Sequence, residues 1–225
     1  MTEPSLSREV AVTPEATALL VVDLQNYCSR PDGGQFHGQP PEQVAQDHGY
    51  YFARLEQTVL PALSRLQAVC RGAGIEVLYT VIESLTQDGR DRSLDYKITG
   101  FNVPRGSWDA QVLDAIKPEG DEIVLPKTSS SVFNSTNIDY LLRNLGVRHL
   151  IIAGALTDQC VESAVRDACD LGYLVTLVRD ACATKSQARH DNSLSAISGY
   201  CRQRSADELI AEIQARVAEG PRQAI

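Results

Sequence analysis

The chain has 225 residues, a formal net charge of −8, 43% hydrophobic residues and 22% charged residues. A domain usually has about 100–200 residues, so one domain is expected over 1–225. The acidic balance, without a cluster of Lys and Arg, argues against nucleic acid as the partner. No run approaches the roughly 20 apolar residues of a membrane helix, and the polar N-terminus is unlike a signal peptide. We therefore expect a cytoplasmic protein with a small-molecule substrate and no membrane partner.

Short apolar segments alternate with longer amphipathic ones. Segments rich in β-branched residues predict strands over 18–23, 75–82, 122–125, 149–153 and 173–178. Apolar residues at helical spacing predict helices over 55–73, 138–145, 160–171, 186–200 and 206–218. This alternation predicts a single-domain α/β fold, a three-layer α/β/α sandwich with a mostly parallel sheet. The core is expected over about 16–203, with a C-terminal helical tail over about 204–225.

Two long segments, 27–50 and 83–109, show no clear periodicity and are rich in Gly, polar or charged residues. Each follows a predicted strand. Because ligands bind at the carboxyl edge of open parallel sheets, both segments are expected to cover a binding site there.

Three reactive side chains stand where predicted strands end or the next helix begins. Asp23 ends the first strand, Lys127 follows the third, and Cys160 opens the helix after the fourth. Parallel strands bring these ends to one edge, so a carboxylate, an ammonium and a thiol would share a pocket. A cation beside a thiol at a helix start favours the thiolate, and a carboxylate can accept its proton. The arrangement suits acyl transfer.

Each of these residues alone also has an ordinary structural interpretation. Asp after a strand is often a turn or cap residue, Lys is usually solvated, and a free Cys is usually a small core residue. The six cysteines include no C-x-x-C pair and are expected to be free thiols.

Three segments together carry a resemblance to a known family. They are LLVVDLQN at 19–26, LPKTSSSVF at 125–133 and GALTDQCVESAVRDA at 154–168. In order and spacing, from about 16 to 184, the chain resembles the isochorismatase-like cysteine hydrolases. The resemblance implies that Asp23 is the general base, Lys127 the triad lysine and Cys160 the nucleophile. It also implies a homo-oligomer, a dimer or tetramer. No cofactor is expected.

The resemblance further implies a non-proline cis peptide, expected here at Leu156–Thr157. The backbone N–H groups of Thr157 and Cys160 would then form the oxyanion hole. Metal-dependent relatives carry histidines after the Asp, whereas only His37 and His48 lie nearby here. No catalytic metal is therefore expected.

The choice of reaction depends on Cys160. Isochorismatases of the same fold typically lack this thiol, so its presence favours hydrolysis of a C–N bond in a small ureido, carbamoyl or carboxamide substrate, releasing ammonia or an amine. The segment 106–109, GSWD, resembles ureidoacrylate amidohydrolases. Vinyl-ether hydrolysis of the isochorismatase type and a non-catalytic binding role are the alternatives.

Substrate contacts are expected from the loops around this edge. The candidates are Gln25, Asn26, Tyr27, Glu83, Trp108 and Phe133, with Arg90, Asp95, Tyr96 and Lys97 on the same loops. Gln25 and Asn26 could equally cap the turn, and Trp108 could fix a loop onto the core.

Overall fold

A six-stranded sheet lies at the centre of the protein, whose residues 6–219 are described by a computed structural model. The strands are β1 (Thr17–Val22), β2 (Glu76–Ile82), β3 (Ile123–Lys127), β4 (His149–Ala155), β5 (Leu174–Ala183) and β6 (Arg202–Arg204). Their order is β3-β2-β1-β4-β5-β6, and all neighbours pair in parallel. The predicted α/β class is confirmed.

Nine α-helices in residues 6–219 connect or flank the strands. They are α1 (Asn26–Ser29), α2 (Pro41–Arg54), α3 (Leu60–Gly72), α4 (Leu94–Thr99), α5 (Val132–Ser135), α6 (Ile138–Asn144), α7 (Glu162–Asp170), α8 (Gln187–Ala196) and α9 (Ala206–Glu219). Single π-helical turns, Leu55–Val59 and Thr157–Val161, precede α3 and α7. None of these helices combines the length and apolarity needed to cross a bilayer.

Helices cover both faces of the sheet, which explains why β1 and β4 are buried along their whole length and are apolar after their first residues, Thr17 and His149. Helices α3 and α9 pack on one face, where Leu66 and Ile213 meet Leu19. Helices α6 and α7 pack on the other, around Leu20 and Ile152. The described part of the C-terminal segment is thus a core helix of its own chain; residues 220–225 lie outside the description.

Close strand packing depends on one glycine. Gly154 has φ 131°, and a Cβ there would lie 2.2 Å from the carbonyl oxygen of Val22 on β1. At the same place the pairing of β4 with β5 shifts register between Ile152 and Gly154. Only glycine permits this approach of β4 to β1, next to the end of both strands.

Several elements differ from the sequence prediction: the short helices α1, α4 and α5 were not predicted, and three larger differences concern β5, β6 and α2. Strand β5 continues to Ala183, beyond its predicted end at residue 178. The polar pair Arg179 and Asp180 concealed this continuation, because both side chains contact α9: Arg179 pairs with Glu208 at 3.0 Å, and Asp180 accepts a hydrogen bond from the Ala206 N–H. Strand β6 was not predicted, since its three residues are polar. Helix α2 occupies much of the segment expected to be irregular, and only Val44 and Tyr51 of it are buried.

Candidate active site

The candidate site lies at the carboxyl edge of the sheet, where Asp23 follows β1. Its φ is +51°, a left-handed conformation that residues other than glycine rarely adopt. Two contacts to β2 hold it there. The Asp23 N–H donates to the Thr80 carbonyl at 3.1 Å, and the Thr80 hydroxyl donates to Asp23 Oδ1 at 2.7 Å. The Asp23 carboxylate is therefore held in a fixed orientation, and the residue is only 1% exposed.

Lys127, the last residue of β3, joins the carboxylate to the thiol. Its Nζ lies 2.8 Å from Asp23 Oδ2 and 3.5 Å from Cys160 Sγ. It also donates to the Tyr96 hydroxyl at 3.0 Å and to the Ser129 carbonyl at 2.8 Å. Burial alone would lower the pKa of this fully buried amine, but the Asp23 carboxylate and the Cys160 thiolate raise it well above its ordinary value. The lysine is therefore charged.

Asp23 Oδ2 and the Cys160 thiol both contact the Lys127 ammonium. Apart from the ion pair, Asp23 Oδ2 has no hydrogen-bond partner among the described residues. Burial raises the pKa of the Cys160 thiol to about 11, with Lys127 opposing this and Asp23 adding to it. The thiol is thus protonated at neutral pH, and an acceptor is needed to make it nucleophilic.

A second thiol in the same region differs in its surroundings. Cys28 donates a hydrogen bond to the Asp23 carbonyl at 3.3 Å, and burial followed by the Asp23 charge raises its pKa to about 12. Among the described side chains, Lys127 contacts Cys160 and not Cys28. The structure brings Asp23, Lys127 and Cys160 together as predicted and leaves Cys28 outside the charged contact.

The segment before Cys160 contains a cis peptide, but at Ala155–Leu156, one bond earlier than the predicted Leu156–Thr157. That prediction was wrong by one bond: the cis peptide joins Ala155, the last residue of β4, to Leu156. Thr157 and Cys160 both lie in the first helical turn after the strand. N–H groups in a first turn lack partners in the preceding turn, so they are available to an anion.

Two residues that sequence reasoning missed hold this turn. The Thr157 hydroxyl lies 2.9 Å from His190 Nδ1, and His190 Nε2 lies 3.0 Å from a guanidinium nitrogen of Arg54. Because Arg54 can only donate, Nε2 accepts, and Nδ1 carries the proton that it donates to Thr157. Burial and then the charge of Arg54 lower the pKa of His190 to about 4, so the ring is neutral.

A cavity of about 80 Å³ opens onto Asp23 and Cys160. Its other lining residues are Cys28, Gln35, Phe36, His48, Tyr51, Ile82, Phe101, Ala155, Leu156, Gln159 and Lys185. The segments 27–50 and 83–109 thus both contribute to its wall, as expected from their position after strands. Lys127 does not line the cavity; it contacts two residues that do, Asp23 and Cys160.

None of the six predicted substrate-binding residues lines this cavity. Gln25 is fully buried, and its amide bonds the backbone of Ile82 and Asp109 at 2.6–3.0 Å. The Asn26 amide donates to the Trp108 carbonyl at 2.9 Å. Both side chains therefore fix the loops at this edge, and Gln25 makes no side-chain hydrogen bond that caps the turn after β1.

The other four candidates also make structural contacts. Tyr27 packs edge-on against Phe101, with ring centroids 5.9 Å apart, and Phe133 packs on Tyr173. Glu83 accepts a hydrogen bond from the Gly106 N–H. Trp108 is 45% exposed and stacks with Arg30 outside the cavity. Tyr96 alone among the loop candidates touches the charged centre, through Lys127.

The histidines noted in the sequence lie apart. His37 is exposed, whereas His48 lies on α2 at the cavity, packed against Phe36 with ring centroids 4.9 Å apart. Within residues 6–219, no group of three or more His, Cys, Asp or Glu side chains is placed to hold a metal ion.

Known proteins resemble this chain in sequence and fold. The Isochorismatase domain family matches residues 17–207. Ureidoacrylate amidohydrolase RutB of Enterobacter sp. (strain 638) is 31% identical, over 80% of each chain; RutB of Rhizobium rhizogenes is 29% identical, over 80% of this chain and 76% of its own.

Solved structures share the fold. A cysteine hydrolase from Pseudomonas syringae pv. phaseolicola has a TM-score of 0.78 at 23% identity, over 96% of this chain and all of its own. N-carbamoylsarcosine amidase from Thermoplasma acidophilum has a TM-score of 0.65 at 23% identity, covering 85% and 96%. From the match over 17–207 and the RutB relatives, the chain belongs to the isochorismatase family and is a hydrolase.

Proposed function

We propose that the protein is a cysteine-dependent amidohydrolase that cleaves a C–N bond of a small ureido, carbamoyl or carboxamide substrate. One observation carries this proposal. The Lys127 ammonium lies 2.8 Å from Asp23 and 3.5 Å from Cys160 Sγ, next to a small cavity. The names of the RutB relatives, which are ureidoacrylate amidohydrolases, support the same class of reaction.

The first half of the reaction follows from the positions of the three side chains. Asp23 accepts the thiol proton as Cys160 Sγ attacks the carbonyl carbon, which forms the S–C bond. The N–H groups of Thr157 and Cys160 hold the oxygen anion of the tetrahedral intermediate. When the intermediate collapses, the C–N bond breaks and Asp23 returns the proton to the departing nitrogen. Ammonia or an amine leaves, and a thioester-like acyl or carbamoyl enzyme remains.

The second half uses the same groups. Asp23 takes a proton from water, the hydroxide attacks the acyl carbon, and the S–C bond breaks as the proton returns to Cys160. Lys127 is charged in the free enzyme, because Asp23 and then Cys160 raise its pKa well above its ordinary value. It holds the carboxylate in place and stabilises the thiolate. No cofactor takes part in this scheme.

Ammonia release from a panel of compounds tests the proposal. Ureidoacrylate, biuret, N-carbamoyl amino acids, nicotinamide and maleamate are offered to the wild type, to Cys160→Ala and to Cys169→Ala, with isochorismate as a further substrate. Cys169 lies on α7 outside the cavity and provides a matched control for losing a thiol. We expect release by the wild type and Cys169→Ala but not by Cys160→Ala.

Other outcomes identify the alternatives. Turnover of isochorismate by the wild type and Cys160→Ala, with no ammonia from any amide, would replace the proposal with vinyl-ether hydrolysis. Binding of these compounds without turnover would indicate a binding protein. The homo-oligomer and the cytoplasmic location stay predictions; light scattering coupled to size exclusion tests the first.

A further inference from the structure

The cavity wall carries a lysine that the proposed reaction does not use. Lys185 lies two residues after the end of β5 and two before α8, and its side chain lines the cavity that holds Asp23 and Cys160. Among residues 6–219, no carboxylate lies within ion-pair distance of its ammonium. Its charge is therefore available to a ligand.

The charges of the other lining groups leave the cavity positive. Asp23 is paired with Lys127 at 2.8 Å, so this carboxylate is already neutralised. Burial and then the nearby charge of Lys185 lower the pKa of His48, which favours its neutral form. Gln35 and Gln159 are neutral amides.

Two features strengthen the attraction of an anion to Lys185. Helix α8 has ten residues and starts at Gln187, so its N-terminus adds positive potential beside the lysine. Lys185 is itself exposed, but Phe36, Tyr51 and Phe101 line the same cavity, so a ligand carboxylate held between them and the lysine would be shielded from water on that side.

We propose that Lys185 binds a carboxylate of the substrate, so that the enzyme prefers ureido or amide compounds carrying an acid group over neutral ones. This inference rests on the proposed function, in which the reacting carbonyl of the substrate lies at Cys160. A carboxylate site at Lys185 would discriminate among the substrate classes that Asp23, Lys127 and Cys160 alone do not distinguish. Ureido acids and N-carbamoyl amino acids would be preferred to biuret, nicotinamide and simple carboxamides.

The first test does not require a substrate. Iodoacetate and iodoacetamide both alkylate a thiolate, forming an S–C bond as the C–I bond breaks and iodide leaves, but only iodoacetate is an anion. The rates at Cys160 are measured at about pH 9, by mass spectrometry of the Cys160 peptide. Variants are Lys185→Gln, Lys185→Arg and Lys117→Gln, the last removing an exposed charge ahead of β3, at the opposite edge of the sheet.

We expect the iodoacetate-to-iodoacetamide rate ratio to fall about 10-fold in Lys185→Gln, the size of a contact to a charged group. Lys185→Arg and Lys117→Gln should keep the wild-type ratio. An unchanged ratio in Lys185→Gln would overturn the anion site.

The second test compares 3-ureidopropanoate with N-butylurea, which replaces the carboxylate by a neutral group of similar size. Lys185→Gln should lower kcat/KM for the acid about 10- to 100-fold and leave the value for the neutral urea unchanged. Equal losses for both compounds would refute the selectivity. If no ureido, carbamoyl or carboxamide compound is cleaved while the alkylation ratio still depends on Lys185, the proposed function fails and the anion site stands.

Discussion

Removing the charge of Lys127 should destabilise the protein strongly, because it leaves a buried carboxylate unpaired. The pair joins atoms 2.8 Å apart, with side chains 0% and 2% exposed. At an effective dielectric constant of about 20, the gross attraction at that distance is about 6 kcal/mol. Breaking one half of a buried pair typically costs about 3–5 kcal/mol of unfolding free energy. We expect a loss in this range for Lys127→Met.

Urea unfolding of four proteins measures the effect: the wild type, Lys127→Met, Asp23→Asn and the double variant. The double variant has no unpaired buried charge, so it should recover much of the stability that Lys127→Met loses. All three variants should lack amidase activity. A loss below about 1 kcal/mol in Lys127→Met, or a double variant less stable than Lys127→Met, would refute the argument that the ion pair fixes the site.

Three further predictions follow from other contacts. Gly154→Ala should cost more than about 3 kcal/mol or prevent folding, because its Cβ would meet the Val22 carbonyl; Gly49→Ala, in open space on α2, should stabilise by about 0.5–1 kcal/mol, and urea unfolding of both checks the contrast. His190→Ala should lower kcat about 10- to 100-fold with a smaller change in KM, whereas His190→Asn, which keeps a donor, should retain more activity; steady-state kinetics would contradict this if KM alone changed. Alkylation of Cys160 by iodoacetamide should rise with pH to a midpoint of about 11, since burial raises the thiol pKa; a midpoint below the ordinary cysteine value of about 8.5 would be contrary.

The charged centre was predictable from the sequence because it depends on strand ends. In a parallel sheet, the carboxyl ends of β1, β3 and β4 reach one edge, so Asp23, Lys127 and Cys160 were expected on the same side of the sheet. What the sequence could not supply was the orientation of their neighbours. Thr80 lies inside β2 and Tyr96 on α4, and only the folded chain turns their hydroxyls to Asp23 and Lys127.

The cavity wall was predicted less well, for two physical reasons. Helix α2 has only Val44 and Tyr51 buried, so no apolar periodicity indicated the helix that carries His48. The polar pair Arg179 and Asp180 hid the second half of β5, because these side chains contact α9 and not the core.

The error in the end of β5 also misplaced Lys185. With β5 ending at residue 178, this lysine stood seven residues past the strand; with β5 ending at Ala183, it stands at the carboxyl edge like Lys127. By contrast, Gln25 and Trp108 were placed at the correct edge but serve the loops there, through backbone hydrogen bonds and a contact with Arg30.

The most direct test of the account is whether Cys160 becomes covalently attached to part of the substrate during turnover. Wild-type protein is mixed with the best substrate of the panel, quenched in acid within the first turnover, and digested for peptide mass spectrometry. We predict an acyl or carbamoyl adduct on the Cys160 peptide that forms before the second product appears, and no turnover by Cys160→Ala. Turnover by Cys160→Ala at the wild-type rate, with no adduct on the wild type, would contradict the account.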